Sequence, residues 1–102
     1  MKTCYVLRVD NYRGAIADLY APGELFTKWW CLSRINVPEG FRGKGIGSQL
    51  LKEILVDADK EKQTIALEIV PSGDMDYDAL EAWYKRYGFE HANSWTMIRR
   101  PK

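Results

Sequence analysis

The sequence predicts an α+β fold, a mixed β-sheet holding one strand-helix-strand unit with a second helix before the last strand. Three observations carry this reading. Runs of β-branched and aromatic residues crowd the first part of the chain, an amphipathic helical pattern starts at Ile46, and an apolar strand follows directly after it. Strand, helix, strand in that order favours a right-handed parallel crossover.

Taken in order, Tyr5-Val6-Leu7-Arg8-Val9 reads as a strand, and Ala15 to Tyr20 pairs with it across a turn from Asn11 to Gly14. After Ala21-Pro22-Gly23 a third strand runs from about Phe26 to Val37, with Leu32, Ile35 and Val37 apolar and Ser33, Arg34 and Asn36 polar. Pro38-Glu39-Gly40 stops it. From Ile46, the residues Leu50, Leu51, Ile54, Leu55 and Ala58 recur at helical spacing, opposite Lys52, Glu53, Asp57, Asp59 and Lys60. Thr64 to Val70 is a mostly buried strand ended by Pro71. The second helix begins near Asp76, where Asp78 and Glu81 have capping-box character, and Leu80, Trp83, Tyr84 and Tyr87 share one face up to Gly88. Ser94 to Arg100 forms the closing strand.

The 102 residues, 46% apolar and 28% charged, suit one domain over residues 1–102. Fifteen basic side chains against fourteen acidic ones leave a formal charge of +1, short of the basic excess that binding nucleic acid through its phosphates needs. Without a signal-peptide pattern or eighteen consecutive apolar residues, the expected location is cytoplasmic, away from membranes. Cys4 and Cys31 lack metal or redox spacing and read as free core thiols; with His91 the single histidine, no metal site is expected.

The chemistry concentrates at residues 42–47, Arg-Gly-Lys-Gly-Ile-Gly. Three alternate glycines at the start of a helix leave backbone N–H groups uncovered where the helix dipole is positive, which suits phosphate oxygens. A Walker A loop is excluded, because Pro38 stands where its first glycine belongs and Gly45 where Ser or Thr must follow the lysine. A dinucleotide-binding GxGxxG is excluded too, since Ser48 takes the third glycine position and too few strand-helix units follow. A glycine-rich turn that only permits a strand-to-helix reversal needs one such glycine, and this loop has three.

The stretch Val37-Pro38-Glu39-Gly40-Phe41-Arg42-Gly43-Lys44-Gly45-Ile46-Gly47 resembles the strand and pyrophosphate loop of the Gcn5-related N-acetyltransferase (GNAT) family, with Arg42, Gly45 and Gly47 on the motif's fixed positions. Leu80 to Glu90, with three residues between Tyr84 and Gly88-Phe89, is similar to the family's later helix. The likeness covers about residues 28–100 and extends loosely to small phage-encoded members of the family. Two departures stand out. The two helices that members usually carry between their first strands are missing, with only turn-rich stretches at Asn11–Gly14 or Ala21–Glu24 in their place, so an open acceptor cleft is expected. The family's Asn after the strand-helix-strand unit is replaced by Ser72-Gly73-Asp74-Met75-Asp76.

The resemblance implies acetyl-CoA as cofactor and direct attack of a primary amine on its thioester. Gly43, Lys44, Gly45, Ile46, Gly47 and Ser48 would form the pyrophosphate cradle, with charge from Arg42 and Lys44, and the strand edge at Ile35, Asn36 and Val37 would take the pantetheine arm. Tyr84 falls where the family places a tyrosine that donates to the departing thiolate. Glu68, inside an otherwise apolar strand, is the candidate base, because a carboxylate among apolar neighbours accepts a proton more readily. Leu67-Glu68-Ile69 also resembles a Leu-Glu-Val segment in the branch that acetylates ribosomal-protein N-termini. A solvated Glu68, with water removing the proton, is its alternative.

Cys31 and Ser33 share a strand side by alternation and could line the acceptor cleft, though core packing ranks ahead. Trp29 and Trp30 face opposite ways, so either one is exposed for acceptor packing or a homodimer contact, or both are covered. Asp74, Asp76, Asp78 and Glu81 either attract a cationic acceptor or serve as caps in a solvated turn. The expected partner is an amine-bearing protein or small molecule. The competing function is a catalytically silent acyl-CoA-binding module that regulates another protein.

Overall fold

The computed structural model describes residues 1–24, 28–41, 43–71 and 75–102. Their strands form one sheet in the order β1 (Cys4–Arg8), β2 (Gly14–Tyr20), β3 (Trp30–Asn36), β4 (Ile65–Glu68), β6 (Thr96–Arg99) and β5 (Glu90–His91). The β3–β4 pair is parallel and the other four pairs are antiparallel. Helix α1 (Ile46–Lys60) makes the crossover from β3 to β4, and α2 (Tyr77–Arg86) leads from β4 to β5. The mixed α+β sheet expected from the sequence is present. No helix among the described residues is long and apolar enough to cross a membrane.

Strand alternation and helix periodicity meet in one core. Tyr5, Ala15, Ala17, Leu19, Leu32, Ile65, Leu67 and Met97 from the strands bury against Leu50, Leu51, Ile54, Leu55 and Ala58 of α1. Tyr77, Leu80, Trp83, Tyr84 and Tyr87 of α2 and its C-terminal cap pack on the same cluster, so both helices lie on one face of the sheet. On the β1–β3 part of the opposite face, Val6 stays 57% exposed and Tyr20 42% exposed. There the Arg34 guanidinium donates to Asp18 at 2.7 Å across two strands.

Two polar anchors sit within this core. The Tyr5 hydroxyl donates to Asp57 at 2.6 Å, and burial first, then the bond to that carboxylate, pushes the phenol up to about 12. Arg99, only 5% exposed, donates twice to Asp59 of α1 (2.9 and 3.1 Å) and once to the Tyr87 carbonyl at the end of α2 (2.9 Å). One guanidinium thus ties the last long strand to both helices.

Several local expectations need correction. Strand β3 begins at Trp30, and the part of the expected strand at residues 25–27 lies outside the described residues. The segment before the closing strand adds a short strand, β5, which pairs with β6 through Glu90↔Ile98 and His91↔Met97. The N-cap of α2 is Asp76, whose carboxylate accepts from the Ala79 N–H at 2.9 Å; Glu81 turns away from the helix start to pair with Lys85 and His91. Cys4 is exposed and Cys31 half-buried, so neither is a core thiol, and neither forms a disulfide among the described residues. Trp29 and Trp30 are both half-buried.

Asp59 hydrogen-bonded to Arg99 has its carboxyl held below the ordinary carboxylate range. A depressed folded-state pKa contributes stability that is present at neutral pH and lost as acid protonates the group. Asp59→Ala leaves a buried guanidinium unpaired and is expected to cost about 3 kcal/mol in urea unfolding. Asp59→Asn is expected to flatten the loss of stability below about pH 4.

Candidate functional site

The parallel ladder between β3 and β4 is short, running from Trp30↔Ile65 to Leu32↔Leu67. Past Leu32 the strands separate, and Ser33 to Val37 on one side with Glu68 and Val70 on the other line a cleft of about 840 Å³. A bulge in β3 accounts for the parting. Its register against β2 slips by one between Asp18↔Arg34 and Leu19↔Leu32, which leaves Ser33 unmatched. Ser33 and Arg34 are both exposed, so Leu32 and Ile35, three residues apart, both turn to the core side. An extra residue bends and twists a strand, and here it swings β3 away from β4.

At the open end of the cleft the chain passes through a turn closed by Phe41 N–H to the Pro38 carbonyl (3.1 Å) and enters α1. Gly43 and Gly45 have φ of +79° and +78°, left-handed values that favour glycine. A Cβ built on either would meet no protein atom within 4 Å, so what demands glycine there is backbone conformation, and the space beside it is open. Gly45 is the N-cap of α1, with no side-chain capping bond and no acidic residue in the first turn. The amides of Ile46, Gly47 and Ser48 therefore begin the helix without a side-chain acceptor. Gly47 differs: a Cβ there would make only ordinary contacts with Val37, Ile35 and Trp83 at 3.7 to 3.9 Å.

Helix α2 supplies the facing wall with Leu80, Trp83 and Tyr84. The Trp83 indole N–H donates to Ser48 Oγ at 3.3 Å and ties this wall to the first turn of α1. Tyr84 packs against Trp83 (5.0 Å between ring centroids) and Phe89 (5.4 Å). Burial pushes its phenol up to about 12, so it stays protonated throughout the neutral range. Its hydroxyl makes no hydrogen bond among the described residues.

Of the residues singled out in the sequence, Ile35, Asn36, Val37, Gly43, Gly45, Ile46, Gly47, Ser48, Glu68 and Tyr84 all line this cleft. Lys44 stands outside it, exposed, with Nζ 5.6 Å from the Phe41 ring centroid. Arg42 lies outside the described residues, as do Ser72, Gly73 and Asp74. Glu68 corrects an expectation. It ends β4 facing Thr96 of β6, exposed in the cleft, and the apolar enclosure inferred from its neighbours in sequence is not there. Ser33 lines the cleft and Cys31 does not. His91 sits elsewhere, with Nε2 2.6 Å from Glu81 and Nδ1 3.0 Å from the Asn93 carbonyl; the contact with His91, above all, holds the Glu81 carboxyl below its usual range.

Phe41, Val70, Met75, Leu80 and Trp83 also line the cleft. Helical spacing marked Leu80 and Trp83 as core, and the spacing is right; the cleft simply opens at the edge of that packed face. The three-residue step from Leu32 to Ile35 was the one sequence signal of the bulge.

Comparison with known proteins agrees with this geometry. A family model described as an acetyltransferase (GNAT) domain matches residues 2–91. No curated protein matches the chain in a sequence search. Among solved structures, the anti-CRISPR protein AcrVA5 superposes with a TM-score of 0.69 at 18% identity, covering 95% of this chain and 98% of that one. The histone acetyltransferase HPA2 and related acetyltransferase from Corynebacterium glutamicum gives 0.73 at 18% identity, over 97% of this chain and 64% of that one. The ribosomal-protein-S18-alanine N-acetyltransferase from Escherichia coli gives 0.70 at 20% identity, over 90% and 64%. At these identities the likeness is one of fold, and the chain spans less than two thirds of the two longer proteins.

The two kinds of glycine in the loop are expected to respond differently to substitution. Gly45→Val should lower stability by about 1–2 kcal/mol, because a β-branched residue must hold a left-handed backbone. Gly47→Ala, inside the helix with room for its methyl, should be neutral or slightly stabilising. Thermal unfolding of the two variants separates these outcomes.

Proposed function

The chain belongs to the acetyltransferase (GNAT) family, and we propose that it moves an acetyl group from acetyl-CoA directly onto a primary amine. The observation that carries the reading is convergence. Uncapped amides at the start of α1, a strand edge freed by the β3 bulge and a protonated phenol all open into one cleft. The residues fit the cofactor: the space beside Gly43 and Gly45 is clear of protein atoms, and about 840 Å³ is within the usual range for small-molecule sites. Acetyl-CoA, when bound, supplies the acetyl group activated as a thioester.

The remaining work belongs to the protein. Backbone N–H groups from Gly43 to Ser48 are suited to the diphosphate, aided by the helix dipole and by Lys44 and Arg42. The edge of β3 at Ile35 and Asn36 would offer main-chain groups to an extended amide-bearing arm in the manner of an added strand, with Val37 lining the cleft just beyond it. Tyr84 holds its proton at neutral pH and can donate it to a departing thiolate on the cleft side. Glu68, which lines the cleft on the β4 side, would take the proton of an incoming ammonium, directly or through water. Its exposure leaves the acceptor side open, which suits an amine carried on a protein lysine, a protein N-terminus or a small molecule.

Thiol release from acetyl-CoA with a panel of amines and peptides tests the reading. Tyr84→Phe is expected to lower kcat about 100-fold while coenzyme A binding is kept. Gly45→Val is expected to weaken that binding at least tenfold. Binding with no turnover on any acceptor, unchanged by Tyr84→Phe, would instead make the chain a silent acyl-CoA-binding module.

A further inference from the structure

The turn between β1 and β2 brings a cation to the phosphate end of the cleft from a part of the chain far from the glycine loop in sequence. Sheet register places it there, since Arg8↔Gly14 closes β1–β2 and Ile16↔Asn36 sets the start of β2 beside the end of β3. Within the turn the Asp10 carboxylate accepts from the Tyr12 and Arg13 N–H groups at 2.8 and 2.7 Å. It also accepts from Arg13 Nε and Nη2 at 3.0 and 2.8 Å. These bonds hold the Asp10 carboxyl below its usual range and fix the direction in which Arg13 leaves the turn.

Arg13 then lies over the Phe41 ring, its guanidinium carbon 4.9 Å from the centroid. Lys44 Nζ stands 5.6 Å from the same centroid, and Phe41 is a wall of the cleft. Two cations therefore converge on one aromatic ring at the mouth of the glycine loop. Asp10 is the one carboxylate paired with Arg13 among the described residues, and it engages only the Nε and Nη2 donors. Among the described residues Nη1 has no acceptor, on a side chain that is 53% exposed. A turn that needed Arg13 only to close would require neither the ring beneath it nor a second cation beside it.

We propose that Arg13 is a phosphate-binding residue for the nucleotide end of coenzyme A, acting with Lys44, the second cation near the Phe41 ring. This rests on the acetyl-CoA reading above. A planar guanidinium already oriented by a carboxylate suits a phosphate oxygen pair, and stacking on Phe41 limits the entropy it loses on binding. The turn thus contributes at the cofactor's entrance.

Calorimetric titration with coenzyme A and with dephospho-coenzyme A, which lacks the ribose 3′-phosphate, tests the proposal without turnover. Arg13→Gln keeps much of the stem over Phe41 and should weaken coenzyme A binding about tenfold or more, with a shallower dependence on salt. Arg13→Lys should recover part of the loss, and the thermal unfolding midpoint of both variants should stay close to that of the unaltered protein. A loss confined to coenzyme A assigns Arg13 to the 3′-phosphate, and an equal loss for both compounds assigns it to the diphosphate; either supports the proposal. Unchanged affinity and salt dependence in Arg13→Gln, with the unaltered chain still binding, overturns it and leaves the acetyltransferase reading standing. No binding of either compound by the unaltered chain overturns both.

Discussion

The single unmatched residue at Ser33 is the constraint from which the site follows. A parallel pair of strands buried under helices normally continues its ladder and leaves no room between its members. Here the slip in register against β2 bends β3, pairing with β4 ends at Leu32↔Leu67, and the separated ends become the walls of a cleft. The same slip sends Ser33 and Arg34 outward together and returns Ile35 to the core side, so β3 stays anchored while it diverges. Opening the sheet by bending one strand keeps the backbone rigid on both sides of the gap, as a site that must position two reactants requires.

A sheet split in this way needs bracing, and the bracing is polar as well as apolar. The indole of Trp83 spans from α2 to Ser48 at the start of α1, across the end of the cleft. At the other end of the helices, Arg99 binds Asp59 and the Tyr87 carbonyl at once. Between these ties the helices present Tyr84 and the uncapped amides toward one space. With both helices on one face, no helix among the described residues covers the β1–β3 part of the other face, where Val6 and Tyr20 stay exposed.

Periodicity made the architecture readable, and local surroundings limited how much of the site could be read. The apolar stripe from Leu50 to Ala58 and the glycines ahead of it predicted a helix, and one begins just past Gly45 without a side-chain cap. The spacing from Gly88-Phe89 singled out Tyr84, which lines the cleft. The surroundings of Glu68 were harder to read, because a strand that is apolar in sequence can end at the mouth of a cleft, where its last side chain meets solvent. Strand β5 went unseen because Glu90-His91 has no alternation to read; only pairing with Met97 and Ile98 makes it a strand. Arg13 was hidden for a different reason. Its role depends on which loop the sheet register sets beside it, and that information is held by the pairing partners of Gly14 and Ile16 and absent from the turn itself.

The bare N-terminus of α1 has a thermodynamic consequence. Helices usually secure their opening turn with a Ser, Thr, Asp or Asn side chain, and here a left-handed glycine occupies that position. The first amides of α1 are thus less protected against hydrogen exchange than those in its middle, where carbonyls one turn earlier hold them. An anion seated on those amides would supply the missing acceptor and slow their exchange, so affinity for the guest and order at the helix end are one free energy seen from two sides.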